Sequence, residues 1–428
     1  MQLRTDVLVI GSGPAGLTAA LSAAEHGCQV VVASSGAGTL AISSGCIDLL
    51  GQYQQQEISD PWEAMTKLPP THPYSLLGCE RVAKALQSFQ AILARRKSDY
   101  FVAQKDGKNV NSRLPTILGT LKPSYLIPQS LDSSRLFSAK KVLVAGVEGL
   151  RDLSPKLCAH ELALLPEFAE TTFATTLFPS PLSQTHRGVS SLDLARRVAS
   201  AEGKSWLTTC LGRFANAYDV ILVPPILGIK ASGQLVSELR QMLHCHVEEL
   251  LTIPPGVGGI RLRETLIDEA REQKIRFLEN VRINKACVSG QHCEYVAAVE
   301  DEEENLRLYA KNIVLATGGI LGGGLFTTPD QVQEELFNLP VPPVQGQMCN
   351  ASDVLAAHPI SQTGLSVDRS LRPVDVHENM LLDNVFLAGR SIGGYDPADE
   401  KSGFGVAIAT GWYAGVMAAN AAGMEASA

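Results

Sequence analysis

Gly11-Ser12-Gly13-Pro14-Ala15-Gly16 places glycine at the first, third and sixth positions of a six-residue segment. The apolar run 6–10 precedes it, and the Ala-rich stretch 17–26 follows and ends at Gly27. A short Val/Ile-rich run that meets glycine at once predicts a buried parallel strand. Residues 17–26 predict a helix with Gly27 just past its end, and residues 30–33 predict the next strand. Between a strand and a helix, this glycine spacing holds a phosphate. The first glycine permits the tight turn, the second lets a phosphate approach the backbone, and the third lets helix and strand pack. The helix N-terminus then offers free N–H groups and a positive dipole end. The alternative is a glycine turn with only a structural task.

A dinucleotide site also needs an acid at the end of the second strand, about 20 residues on, for the ribose hydroxyls. Ser34 stands there, between Ala33 and Ser35. The phosphate cradle is present and the adenosine anchor is missing. That pattern suits FMN, speaks against tight NAD binding, and keeps FAD as the alternative.

Two later segments also run from an apolar strand into glycine. Residues 312–316 lead into Thr317-Gly318-Gly319, where glycine allows close backbone approach. Residues 383–388 lead into Gly389-Arg390. Arg390 cannot accept a hydrogen bond, but its planar donors suit phosphate or carboxylate. Ser402-Gly403-Phe404-Gly405 reads as a turn opening a helix over 402–422, with amides able to stabilise negative charge on a reduced flavin. Ser43, Ser44 and Gly45 are placed to touch the flavin or its phosphate; the plain alternative is a hydroxyl-bonded turn. His358, Arg369, Arg372, His377, Arg390, Asp396 and Lys401 carry the titratable or cationic side chains of the Gly-rich segments and are the candidates for proton transfer or anion contact. Each of these residue types is individually more often structural.

The rest of the chain must position these groups. Helices are predicted over 80–97, 192–199, 233–243 and 261–273. Strands are predicted at 142–144, 220–223, 280–289, 295–300, 306–309, 313–316 and 384–388. The acidic run 301–304 reads as a solvated hairpin tip. The polar, Pro-rich stretch 52–74 marks a boundary or excursion. The 428 residues suggest two or three domains at about 150 residues each. The expected division is a flavin-binding part from 1–75 and 250–428, split by a cap, substrate or partner domain over 76–249.

Composition excludes several classes. With 45% hydrophobic and 19% charged residues, long disorder is not expected. The net charge of −8 offers no whole-chain footprint for nucleic acid. Nine cysteines, none in C-x-x-C, read as reduced core thiols and not as an iron–sulfur or zinc site. Cys287, His292 and Cys293 read as a hairpin, and alternation in His244-Cys245-His246 separates the side chains. No metal is expected. No apolar run reaches about 18 residues, so no direct membrane span is expected.

Taken in order, the glycine turn, the strand ending Ala316-Thr317-Gly318-Gly319 and the strand ending Ala388-Gly389 resemble the FAD-dependent oxidoreductase superfamily, with its fumarate-reductase or glutathione-reductase-like fold. In that superfamily an Asp follows the last glycine and meets the ribityl chain; here Arg390 takes its place. Ile42-Ser-Ser-Gly-Cys-Ile-Asp-Leu-Leu50, Pro254-Pro-Gly-Val-Gly-Gly-Ile-Arg-Leu262 and Gly393-Gly-Tyr-Asp-Pro397 are similar to the B-subunit family of the anaerobic glycerol-3-phosphate dehydrogenases.

The resemblance implies an α/β protein with a Rossmann-like, three-layer FAD/NAD(P)-binding domain and an inserted α/β or α+β domain. It implies FMN as the flavin. The reaction would take sn-glycerol 3-phosphate to dihydroxyacetone phosphate during anaerobic growth. The partners would be the FAD-bearing A and the membrane-anchoring, iron–sulfur C subunits of the same complex. Electrons would pass to the quinone pool, with fumarate or nitrate at the end. The place would be cytoplasmic, peripheral to the inner face of the cell membrane through those partners. Two rival readings are a self-sufficient FAD enzyme and a flavin-free scaffold.

Overall fold

Strand β1 (Gln2–Ile10) lies at the centre of a sheet, bonded in parallel on both sides, with Val7, Leu8 and Val9 fully buried. A strand covered on both faces can be apolar at successive positions. The structure is a computed structural model that describes residues 1–182, 188–230, 233–252, 256–300, 303–328, 331–343, 350–354 and 356–423. Cys349, Pro254, Pro255 and the acidic tip residues Asp301 and Glu302 lie outside the described residues.

The chain turns at Gly11 into α1 (Pro14–Glu25), which has proline in its first turn, and returns as β2 (Val30–Ser34). Strand β3 (Arg276–Glu279) pairs with β2 on the outside. On the other side of β1 run β4 (Lys285–Ser289), β5 (His292–Glu300) and β6 (Glu303–Leu315), while β7 (Val385–Leu387) joins the end of β6. The order is β3-β2-β1-β6-β5-β4. β2, β1, β6 and β7 run parallel, so their C-terminal ends share one edge.

The sequence predicts two short strands, at 306–309 and 313–316, where the structure has the single 13-residue β6. The polar residue between them, Asn312, keeps register with Val7 and donates its side-chain amide to the Ala418 carbonyl at 2.9 Å. A satisfied buried amide removes the reason to break the strand.

The first core also takes in helix α2 (Cys79–Arg95) through Val82, Phe89 and Leu93, together with α3 (Val257–Glu272) and the closing helix α4 (Gly403–Ala421). α2 therefore packs with the flavin-type sheet, ahead of the inserted core and not inside it as the expected boundary at 76 has it. Its apolar stripe finds α3 and α4 as partners. α4 lies along α1 through Gly411 and Gly415, where a Cβ would fall 2.4 Å from the carbonyl oxygens of Ala15 and Ala19 respectively.

A second core belongs to a four-stranded parallel sheet. Its strands are ordered Thr172–Phe178, Lys141–Val147, Val220–Val223 and His246–Glu249, with helices such as Ser191–Val198 and Gln234–Leu243 packed on it. A third, small apolar cluster gathers Cys46, Leu114, Ile127, Leu131 and Leu251.

Candidate functional site

Three glycines shape the edge where the parallel strands end. Gly11 has φ +115°, and a Cβ there would lie 2.2 Å from the Ala316 carbonyl oxygen. A Cβ on Gly16 would lie 1.9 Å from the Gly11 oxygen, whereas one on Gly13 would meet nothing within 4 Å. Gly11 and Gly16 thus close the turn, and Gly13 keeps open space before the first turn of α1. That is the arrangement a phosphate needs. The turn is pinned by Gly11 N–H to the Ala33 carbonyl at 2.8 Å and Ala316 N–H to the Ile10 carbonyl at 2.9 Å. Ala15 is small because Gly389 and α4 press on it; a Cβ on Gly389 would sit 2.6 Å from its own. The Ser12 hydroxyl is engaged elsewhere, donating to the Gly36 carbonyl at 2.8 Å. Ser34 ends β2 as a buried residue, in register with the exposed Glu279 of β3.

The loop after β2 uses its serines locally. Ser43 Oγ donates to the Leu40 carbonyl at 2.9 Å and accepts from Gly45 N–H at 3.3 Å, while Ser44 Oγ accepts from Cys46 N–H at 3.3 Å. This is the plain hydroxyl-bonded turn. The glycines opening α3 admit the loop: Cβ atoms on Gly256, Gly258 and Gly259 would lie 2.2, 2.1 and 2.2 Å from the carbonyl oxygens of Ser43, Ser44 and Leu40. Tyr100 Oη donates to the Gly45 carbonyl at 2.7 Å, so the loop is also tied to the hairpins beyond α2.

Thr317, Gly318 and Gly319 follow β6. The Thr317 hydroxyl is buried with no hydrogen-bond partner among the described residues. An orphaned buried hydroxyl costs about 1–3 kcal/mol until something pairs with it. Gly318 has φ +81°, and Gly319 lies against Arg390. Gly389 N–H donates to Thr410 Oγ1 at 2.8 Å. Arg390 turns to protein carbonyls, donating to Thr363 at 2.7 Å and to Ser361, with its guanidinium 5.5 Å from the Tyr395 ring centre. At the start of α4, a Cβ on Gly403 would meet Pro397 at 2.9 Å, and Phe404 packs half-buried on the first core. The Gly405 amide donates to the Asp48 carbonyl at 2.9 Å. That amide is consequently unavailable to a ligand.

The other candidates are scattered. His358 uses both ring nitrogens on loop backbone, accepting from Ala351 N–H and meeting the Val354 carbonyl, each at 3.1 Å. His377 and Arg369 are exposed. Arg372 stacks over Phe386 at 5.2 Å, Asp396 accepts the amides of Ala398 and Asp399, and Lys401 donates to Gln52 at 2.8 Å. The structure does not gather these residues at one point.

A buried network at the head of α4 escapes the sequence reading. His72 is 1% exposed; its Nδ1 accepts from Tyr74 N–H at 3.0 Å, leaving Nε2–H to face Glu400 Oε2 at 3.1 Å. Ser402 Oγ donates to the same carboxylate at 2.9 Å, and Asp396 N–H donates to its other oxygen at 3.2 Å. These bonds fix the loop that carries Gly393–Gly405 into α4. No local pattern marks a histidine and a glutamate 328 residues apart as partners.

Burial pushes the thiols up: Cys46, Cys158 and Cys293 to about 12, Cys28 and Cys245 to about 11. Among the described residues no three His, Cys, Asp or Glu side chains gather as metal ligands, and no helix is long and apolar enough to cross a membrane.

The open cradle at Gly13, the orphaned Thr317 hydroxyl and four parallel strand ends along one edge fit a flavin. They define a flavoprotein of the FAD-binding class, and the family described as "FAD binding domain" matches residues 6–406. The chain is 31% identical to the B subunit of the anaerobic glycerol-3-phosphate dehydrogenase of Vibrio cholerae serotype O1, over 96% of this chain and 95% of the relative. It is 30% identical to the probable B subunit of the same kind of enzyme from Halobacterium salinarum, over 98% and 99% of the two chains. A flavocytochrome c3 fumarate reductase in its open conformation is similar at 12% identity, over 98% of this chain and 78% of that one, with a TM-score of 0.45. The chain belongs to the FAD-binding family and, within it, to the B subunits of the anaerobic glycerol-3-phosphate dehydrogenases. Membership brings a flavin cofactor and an oxidoreductase role in a multi-subunit enzyme.

Proposed function

We propose that this chain is the flavoprotein subunit of an anaerobic glycerol-3-phosphate dehydrogenase that takes sn-glycerol 3-phosphate to dihydroxyacetone phosphate and passes electrons towards the quinone pool, with fumarate or nitrate as terminal acceptor. A bound flavin supplies the hydride acceptor and the electron relay. The chain's own residues bind and orient it. The turn at Gly13 and the N-terminus of α1 take the phosphate, the Thr317 hydroxyl gains a partner, and Gly389 with the head of α4 closes the edge. The FAD-bearing A and iron–sulfur C subunits are the partners in this reading, and they hold the chain at the inner face of the membrane. Among the described residues the free cysteines, from the buried Cys28 and Cys46 to the exposed Cys79, form no group of metal ligands, which supports assigning the cluster chemistry to the iron–sulfur partner.

FMN is the proposed cofactor, and one observation carries it: β2 ends in Ser34, without the carboxylate that anchors an adenosine ribose. FAD is favoured instead if the exposed Glu279, in register with Ser34 on β3, takes over that task. Release of the flavin from the purified chain and its chromatographic identification tests the choice. FMN supports the proposal and FAD selects Glu279. A folded, colourless chain that takes up neither flavin leaves only the scaffold role. Reconstitution with the FAD-bearing partner tests the relay; quinone reduction that is unchanged without this chain would defeat it.

A further inference from the structure

A cation-lined cleft of about 800 Å³ opens at the N-terminal edge of the inserted sheet. Three adjacent parallel strands begin there: Lys141 opens one, Asp219 precedes the next, and His246 opens the third. The opposite, C-terminal edge of the same sheet faces the flavin domain, where Glu249 meets Arg261 of α3. The cleft therefore lies at the far end of the sheet from the flavin edge, and away from the end where open α/β sheets usually bind ligands.

Its charges are unevenly matched. Lys140 pairs with Glu170 at 2.6 Å, and Asp219 Oδ2 is taken by the amides of Lys140 and Lys141 at 2.8 and 2.9 Å. Arg135, Lys141 and His244 line the cleft, are exposed, and have no ion-pair partner among the described residues. Arg240 is half-buried and fixed: Nε donates to the Val247 carbonyl at 3.1 Å, Nη2 to the Gln129 carbonyl at 3.4 Å, and Nη1 lies 3.6 Å from Asp132. A guanidinium held at the wall, with the unpaired Arg135 and Lys141 and the exposed His244 imidazole lining the same cleft, offers an anion a preorganised set of donors. On a chain with a net charge of −8, this is a local reversal of sign.

We propose that the cleft binds a phosphate group, carried either by a soluble phosphate ester or by the headgroup of an anionic lipid. Neither source requires bound flavin, so the proposal stands apart from the cofactor assignment. The test uses the full chain in two arms at low salt. One arm titrates inorganic phosphate calorimetrically. The other co-sediments the protein with phosphatidylglycerol vesicles, against phosphatidylcholine vesicles as the baseline. The double variant Arg135→Glu/Lys141→Glu changes two exposed side chains, and an unchanged Tm verifies its fold. The wild type should respond in at least one arm, and the double variant should bind about tenfold or more weakly there. A response to phosphate alone assigns a soluble ester, and a response to anionic vesicles assigns the headgroup. Silence in both arms, sedimentation no better than with phosphatidylcholine, or equal binding by the double variant overturns the proposal.

Discussion

Arg261 on α3 donates to Glu249 at the end of the inserted sheet, Nη2 to Oε1 at 2.9 Å, and both side chains are buried. The same guanidinium donates to the Gly228 carbonyl through Nε at 2.8 Å, and Glu249 accepts from Leu227 N–H at 2.7 Å. One ion pair thus ties α3 of the first core to the sheet of the second. Removing one partner of such a pair strands a buried charge and costs about 3–5 kcal/mol. Arg261→Met should lower denaturant stability by about that amount. The double variant Arg261→Met/Glu249→Leu should recover much of the loss. Equal stability of the single variant and wild type would show that the pair does not hold the two cores together.

Gly411 and Gly13 are both glycines of the flavin domain, yet alanine should act oppositely at the two. At Gly411 the new Cβ falls 2.4 Å from the Ala15 carbonyl oxygen, a backbone atom. Gly411→Ala should cost about 3 kcal/mol in thermal unfolding, at the upper end for overpacking. At Gly13 the Cβ meets nothing within 4 Å and φ is −73°, so the apo protein should keep its Tm. Its flavin affinity should fall about tenfold, or about 1.4 kcal/mol, because the methyl fills the phosphate space. Fluorescence titration of the apo variant reads this directly.

Thr317 offers a second separation of folding from binding. Its Oγ1 has no partner among the described residues. Thr317→Val removes an unsatisfied hydroxyl at nearly constant volume, so apo stability should hold or rise. Flavin should bind about 1 kcal/mol more weakly, the usual worth of one hydrogen bond. An unchanged dissociation constant would show that the hydroxyl does not face the flavin.

Ser34→Glu restores an acid at the end of β2. It should shift the ratio of FAD to FMN affinity of the apo protein towards FAD by about tenfold or more, since a hydrogen bond to a charged group is worth about 1.5–3 kcal/mol. Competitive titration with the two flavins measures the ratio. A ratio equal to that of wild type would mean that the strand end does not select the cofactor.

Glu248 supplies a pH signature. Burial, reinforced by Asp132, raises its carboxyl well above the ordinary value of 4.5. Neither oxygen has a hydrogen-bond partner among the described residues, although Oε2 lies 3.6 Å from His246 Nε2. The folded state then holds this proton when the unfolded chain has released it. Stability therefore falls as pH rises from about 4.5 towards the raised value. Glu248→Gln removes this slope. The variant should be more stable than wild type at about pH 8, with the gap closing towards about pH 5. A constant gap across that range would contradict it.

The sequence alone determined the β1–turn–α1–β2 unit, the glycine spacing of its turn, the missing acid at Ser34 and the closing helix α4. Each is written over a short span, where hydrophobic period and glycine spacing constrain the backbone directly. Family membership was equally legible, because its motifs run in order along the chain. Only the tertiary structure decided where the polar groups are satisfied. Arg390 stands at the strand end that its motif predicts, but its donors go to Ser361 and Thr363. Ser43 and Ser44 sit in the expected loop, but their hydroxyls bond within it. His72 found Glu400, Glu249 found Arg261, and α2 joined the first core. A buried polar group must be paired, and its partner is whatever the completed fold brings within about 3 Å, at any distance along the chain.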